Sequence, residues 1–202
     1  MENATPGGGV MAAQDRPELD QTPSSAGRAR AYGAGRLTRF GLATAAITCI
    51  ADQLTKLWIL FVFDLRDKGA VVVTPFMDLV MTWNRGISYG LFQQDSWLGQ
   101  WPLLAVTVIA LILLGVWLTR AESQLTALSL GLIIGGAIGN AIDRMAYGAV
   151  ADFAHFHITT ANWNFSWYVF NLADVAIVVG VAGLLYESLL GERAVKAPRS
   201  EP

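Results

Sequence analysis

Residues 125–144 read LTALSLGLIIGGAIGNAIDR, an apolar run that ends in an aspartate and an arginine. No charged residue precedes Asp143 in this run, whose length is close to the roughly 20 residues that a helix needs to cross a bilayer. Gly131, Gly135 and Gly139 recur at every fourth position, a spacing that lets a second helix pack closely. The stretch therefore predicts a tightly packed transmembrane helix with a carboxylate at one end.

Three further apolar stretches of spanning length flank this run, at residues 40–63, 97–118 and 169–190. Of the 202 residues, 53% are hydrophobic and 15% are charged, whereas soluble domains carry about 25% charged residues. The net charge of −2 gives no reason to expect nucleic-acid binding. The single cysteine, Cys49, excludes an internal disulfide. The composition and the distribution of apolar residues along the chain together predict an integral membrane protein with four transmembrane helices.

The positive charges predict the orientation of these helices. Arginines cluster just before the first stretch, and Arg193, Lys196 and Arg199 follow the last. Positive charge favours the cytoplasmic side of a membrane, so we expect both termini in the cytoplasm and loops 64–96 and 143–168 outside. The predicted organisation is a disordered cytoplasmic tail (1–36), a transmembrane domain (37–191) and a cytoplasmic C-terminal tail (192–202).

The first outer loop contains two segments rich in β-branched and aromatic residues, 70–74 and 78–83, with turn material at Pro75. We expect a small extracytoplasmic β-structure there, between helices 1 and 2. The third loop carries a cluster of aromatic residues that is typical of a membrane interface (Trp163, Phe165, Trp167 and Tyr168). The fold class is thus a mainly α integral membrane protein with a small outer β-structure.

Three carboxylates are predicted to approach one membrane level. Asp143 ends the third span, Asp152 follows nine residues later, and Asp174 lies one to two turns into the fourth span from the same face. Two close carboxylates in a low-dielectric site share a proton, which supplies an acid and a base for attack of water on a peptide carbonyl. The alternative is that these acids only link helix ends together. The residues alone do not select which two of the three react.

Several polar residues surround these acids. Asp52 and Lys56 are spaced i, i+4, which favours a mutually neutralised pair on one helix face, with a proton relay as the alternative. Asn140 and Asn171 flank the acids and can orient them through amide hydrogen bonds. Arg144 follows Asp143 directly and is expected to hold it ionised.

His155 and His157 form an H-x-H pair in the third loop. A metal site there would need further ligands, and none is obvious in the sequence. We therefore expect no metal and no cofactor.

Five motifs in order resemble the lipoprotein signal peptidase (signal peptidase II) family over about residues 38–190. They are DQLTK at 52–56, NRGISYG at 84–90, GGAIGNAIDR at 135–144, VADF at 150–153 and FNLAD at 170–174. The resemblance implies an aspartic endopeptidase that removes signal peptides from diacylglyceryl-modified prolipoproteins, cleaving just before the lipid-modified cysteine. It further implies a monomer in the bacterial cytoplasmic membrane, among membrane lipids, with its active site near the outer face.

The family's catalytic pair maps to Asp152 and Asp174, which leaves Asp143 as a supporting residue. The other motif positions are implied to support the site or bind substrate: Asp52, Lys56, Asn84, Gly86, Gly135, Asn140, Arg144, Asn171 and Ala173. The chain departs from the family pattern at Tyr89, where phenylalanine is usual, and in a longer segment between the two catalytic aspartates.

Two other functions remain possible from the sequence. A small transporter would also place acids inside its spans, although the internal repeats common in transporters are not visible. A catalytically silent lipoprotein-binding protein would keep the same fold.

Overall fold

The computed structural model describes the backbone of residues 25–86 and 100–196, with side chains from 35–86 and 101–189. The last part of the 84–90 motif, including Tyr89, lies outside the described residues. The elements in chain order are α1 (Ser25–Leu57), a π-helical turn (Trp58–Val62), α2 (Leu65–Lys68), β1 (Val71–Thr74), β2 (Met77–Asn84), α3 (Gln100–Thr119), α4 (Gln124–Tyr147), β3 (Val150–Thr159), β4 (Asn164–Phe170) and α5 (Leu172–Lys196).

Among the described residues, four helical segments are long and apolar enough to cross a membrane, in agreement with the predicted number of spans. They are Gly35–Val62, Trp101–Thr119, Gln124–Tyr147 and Leu172–Leu189. Two boundaries differ from the prediction in ways that concern the acids. Helix α4 continues to Tyr147 and is closed by Gly148 at φ 73°, so Asp143 lies about one turn inside the helix. Helix α5 begins at Leu172, so Asp174 lies in its first turn.

The helix packing follows the glycine pattern. A Cβ on Gly131 or Gly135 would collide with the backbone of α1, and a Cβ on Gly136 would collide with the backbone of Ala173 in α5. The expected close approach of helices to the glycine face is thereby confirmed, and α4 lies between α1 and α5. Helix α3 is peripheral, and many of its apolar side chains, such as Val106 and Leu113, are exposed where lipid would surround them.

The loops after the first and third spans form one antiparallel sheet in the order β1-β2-β3-β4. Strands β1 and β2 confirm the β-structure predicted between the first two spans. Strands β3 and β4 were not predicted, since the third loop was interpreted only as an aromatic interfacial segment. The register places Thr82 of β2 opposite Asp152 of β3. Both loops therefore lie at the same end of the helices.

The described helices extend beyond the predicted transmembrane domain at both ends. Helix α1 begins at Ser25 and α5 ends at Lys196, so part of each predicted tail is helical. Residues 1–24 and 197–202 lie outside the described residues, and the disorder of the tails stays a prediction.

Candidate active site

Lys56 is the centre of a buried polar cluster between α1 and α4. Its Nζ lies 2.8 Å from Asp52 Oδ2 and 2.9 Å from Asp143 Oδ2, and it donates to Asn140 Oδ1 at 2.9 Å. The side chain of Lys56 is 2% exposed, and both acids are buried as deeply. The predicted Asp52–Lys56 pair is confirmed, but Lys56 also neutralises an acid on a second helix.

Both carboxylates of this cluster have further partners that tie the site together. Gln53 donates to Asp143 Oδ1 at 3.0 Å, and the backbone N–H of Ala151 donates to Asp143 Oδ2 at 3.1 Å. The remaining oxygen of Asp52 accepts from the backbone N–H of Ala173 at 3.0 Å. A carboxylate is stabilised at this place because the first N–H groups of a helix lack intrahelical acceptors. Asp52 thereby fixes the start of α5.

Two aspects of this cluster differ from the sequence interpretation. Asp143 forms an ion pair with Lys56, and the charge of Arg144 acts on Asp152 and Asp174 as well as on Asp143. Gln53 was not among the predicted site residues. Its signal was an amide beside Asp52 inside an apolar span, where a polar group needs a partner.

Asp174 is positioned by the N-terminus of α5. Asn171 caps this helix: its Oδ1 accepts from the backbone N–H of Asp174 at 3.1 Å, while Asp174 Oδ2 accepts from the backbone N–H of Asn171 at 3.1 Å. This reciprocal arrangement is a capping box with aspartate at its third helical position. Asp174 Oδ1 also accepts from Asn140 Nδ2 at 2.9 Å. The carboxylate thus accepts hydrogen bonds from two groups, yet it stays partly exposed.

Asp152 reaches the same place from strand β3. Its Oδ1 accepts from Asn171 Nδ2 at 2.6 Å, and Asn84 of β2 bonds to the same carboxyl. The side chain is 2% exposed. Burial, and then the charge of Asp174, raise the pKa of Asp152 to about 6, although the bonds from Asn171 and Asn84 and the charge of Lys56 oppose the shift. Asp152 therefore gains and loses its proton close to neutral pH.

Asn171 connects the two carboxylates, because its side chain bonds to Asp152 while its backbone and Oδ1 hold Asp174. Its Nδ2 also lies 3.1 Å from Asn140 Oδ1, which continues the network to Lys56. The structure thus joins ten of the predicted site residues: Asp52, Lys56, Asn84, Asn140, Asp143, Arg144, Asp152, Asn171, Ala173 and Asp174.

The two predicted glycines act at a distance from the carboxylates. Gly86 donates its N–H to Asn84 Oδ1 at 3.2 Å, which fixes the turn after β2 and hence the side chain that touches Asp152. Gly135 packs against Ala45 and Thr48 of α1, so its place in the structure is at a helix contact.

The two histidines lie elsewhere on the sheet. His155 Nε2 is 2.8 Å from Ser166 Oγ, and His157 Nε2 is 3.0 Å from Asp78 Oδ2. Among the described residues no three His, Cys, Asp or Glu side chains are arranged to hold a metal ion. The chemistry open to the acid cluster itself is proton transfer between two carboxyl groups and a water, as in a peptidase that uses paired acids.

Comparison with known proteins defines the class to which this membrane site belongs. Residues 44–190 match the family model described as signal peptidase (SPase) II. The chain belongs to the signal peptidase II family, a family of membrane peptidases. This membership favours a peptidase over the transporter that the sequence left open.

The relatives agree with this assignment, and a solved structure shares the fold. A lipoprotein signal peptidase of Nitrobacter hamburgensis is 59% identical over 160 residues, which are 79% of this chain and 98% of the relative. One of Rhodopseudomonas palustris (strain TIE-1) is 57% identical over the same shares. The fold is similar to a bacterial membrane enzyme solved by the in meso method at 2.3 Å, with a TM-score of 0.64, 24% identity, and coverage of 80% of this chain and 94% of the other.

Proposed function

We propose that this protein is a lipoprotein signal peptidase that works as an aspartic endopeptidase, with Asp152 and Asp174 as its catalytic pair. The observation that carries the proposal is the shared contact of both carboxylates with Asn171. Asp143 is the third candidate, but both of its oxygens are occupied by Lys56, Gln53 and Ala151. An acid held in this way is suited to support the site, not to exchange protons with substrate.

The two acids have different environments, which suggests a division of roles. Asp152 is buried and its pKa is raised to about 6, so it is the acid that holds the shared proton. Asp174 is partly exposed and acts as the base. The water oxygen attacks the carbonyl carbon as Asp174 takes a water proton and Asp152 donates its proton to the carbonyl oxygen. Collapse of this tetrahedral intermediate returns a proton to Asp152, and Asp174 protonates the departing nitrogen.

The proposed substrate is a diacylglyceryl-modified prolipoprotein, cut just before its modified cysteine. The acids lie where the helices meet the sheet, and a signal helix embedded in the membrane would end at this depth. A row of rings on β4 and the residue before it supports a lipid-facing role for the sheet: Trp163 stacks on Phe165 at 5.5 Å, and Phe165 lies 5.8 Å from Trp167. Such aromatic residues favour the membrane interface.

Cleavage of matched prolipoproteins with and without the diacylglyceryl group tests the substrate assignment. We expect the purified protein in detergent to release the signal peptide much faster from the lipidated form, because binding of the lipid positions the peptide at the acids. A metal chelator should leave the rate unchanged. Equal rates for both substrates would contradict the lipid requirement, whereas release from neither by well-folded protein would contradict the peptidase itself.

The proposed location is the cytoplasmic membrane of a bacterium, with the acids and sheet at the outer face and both termini inside. The orientation is supported by the arginines near the start of α1, Arg28, Arg30, Arg36 and Arg39. The single sheet built from both loops requires those loops to share a side. Reporter fusions at residues 66 and 202 should report opposite sides of the membrane. Reports from the same side would contradict the four-span arrangement.

A further inference from the structure

A pocket lies on the face of the sheet opposite the aspartates. Side chains alternate between the two faces of a strand, and Asn84, next to Trp83, bonds to Asp152. Trp83 therefore points to the other face. There it lines a cavity of about 260 Å³ together with Arg66, Arg85, Tyr147 and Ala149. The pocket is thus separate from the proposed catalytic site.

Its two arginines come from different parts of the chain, and an aromatic ring orders one of them. The Arg66 guanidinium of α2 lies 4.9 Å from the centroid of the Trp83 ring, a cation–π contact. Trp83 in turn packs against Tyr147 with ring centroids 5.4 Å apart. Arg85 follows β2 and lines the same cavity. Among the described residues that line the cavity none is acidic, and the two arginines supply guanidinium donors.

The pocket lies where two spans leave the membrane. Tyr147 is the last residue of α4 and Arg66 follows the first span, which ends at Val62. Next to them, Phe61, Val62 and Met145 expose 68%, 71% and 68% of their surface, as side chains that face lipid do. A ligand at this level meets positive charge at one end and apolar surface at the other.

We propose that this pocket binds the phosphate of an anionic phospholipid in the leaflet that faces the sheet. Guanidinium groups bind phosphate oxygens in pairs of parallel hydrogen bonds, and basic pockets at the ends of transmembrane helices bind lipid headgroups. The neighbouring exposed apolar side chains distinguish a lipid from a free phosphate, because they offer contact to acyl chains. The inference does not depend on the proposed function.

The test is thermal unfolding of the full-length protein in detergent during titration with phosphatidylglycerol, phosphatidylcholine or inorganic phosphate. We expect phosphatidylglycerol to raise the melting temperature at the lowest concentration. In the double variant Arg66→Gln/Arg85→Gln, the lipid concentration for half the shift should rise about 25-fold, since each basic residue near a membrane surface contributes about fivefold to anionic lipid binding.

Two controls keep the result interpretable. Arg36→Gln/Arg120→Gln removes the same charge at the opposite end of the helices and should keep the wild-type response. Arg66→Lys/Arg85→Lys keeps the charge but loses paired hydrogen bonds and should fall between. The melting temperature without added lipid reports whether each variant folds. An unchanged response in the Gln double variant, or an equal response to phosphatidylcholine, would overturn the proposal. An equal response to inorganic phosphate would contradict the lipid proposal and show that the pocket binds a free anion.

Discussion

Two groups of acids lie within one network but in different chemical surroundings. Around Lys56, the carboxylates of Asp52 and Asp143 contact an ammonium group directly, at 2.8 and 2.9 Å. At the sheet, Asp152 and Asp174 receive hydrogen bonds from the amides of asparagine residues instead. Direct contact with a buried ammonium group favours the charged form of a carboxylate more than hydrogen bonds from neutral amides do, although the charge of Arg144 also acts on Asp152 and Asp174. The comparison suggests that the first group holds the structure and the second performs the chemistry.

The most direct test of this difference is to neutralise the acids one at a time. We expect Asp152→Asn and Asp174→Asn each to lower cleavage about 10³-fold or more, because an amide of the same size can neither accept nor supply the proton. The double variant should be about as inactive as either single variant, since the two acids act as a unit. The measurement is release of signal peptide from a diacylated prolipoprotein per folded molecule.

Asp143→Asn is the matched control, because it makes the same change in the group around Lys56. It should reduce activity only in part, or reduce the amount of folded protein. A well-folded but inactive Asp143→Asn, together with a nearly normal Asp152→Asn, would reassign the pair to Asp143 and Asp174.

The second prediction concerns stability. Lys56→Met removes the cation from two buried carboxylates, and leaving buried charge without its partner costs about 3–5 kcal/mol of folding free energy. We expect a large fall in melting temperature and in yield of membrane-inserted protein. Lys68→Met makes the same substitution at an exposed lysine over the Phe63 ring and should have little effect. A Lys56→Met protein as stable as wild type would show that the cluster is not held by this charge.

The third prediction uses pH to separate the groups. The pKa of Asp152 is raised in the folded protein, from 3.8 to about 6, so the folded state binds the proton more tightly than the unfolded state. Its favourable contribution is complete below pH 3.8 and is lost as pH rises through 6. Compared with Asp152→Asn, the wild-type protein should lose on the order of 3 kcal/mol of stability between pH 4 and 7.5. Unfolding of both proteins across this range measures the difference, and a constant difference would contradict the raised pKa.

Local patterns in the sequence predicted the spans and part of the site. Apolar runs of spanning length decide the helices, because a bilayer admits few alternatives for the backbone. The Asp52–Lys56 pair follows from helical spacing within one element. The capping box at Asn171 and Asp174 was also a local signal, but the apolar residues from Val169 onward extended the predicted span over it.

Local sequence patterns could not predict the contacts between distant elements. The ion pair of Lys56 with Asp143 depends on how α1 packs on α4, and a residue adjacent in sequence, Arg144, was the more obvious partner. Strands β3 and β4 were missed because alternating aromatic residues are typical both of strands and of a membrane interface. Asp152 gains its partner Asn84 only when β2 and β3 pair, a register that neither loop specifies by itself.

The pairing of β2 with β3 has a consequence for how the protein is made. Two membrane spans, α3 and α4, separate these strands in the chain. The first hairpin, β1 and β2, can therefore pair with β3 only after both spans have inserted and the third loop lies on the same side of the membrane. Asn84 and Asp152 meet only then, so a chain with an incorrectly inserted helix lacks the assembled pair of acids. If Asp152 and Asp174 are the catalytic pair, as proposed, hydrolysis becomes possible only after membrane insertion is complete.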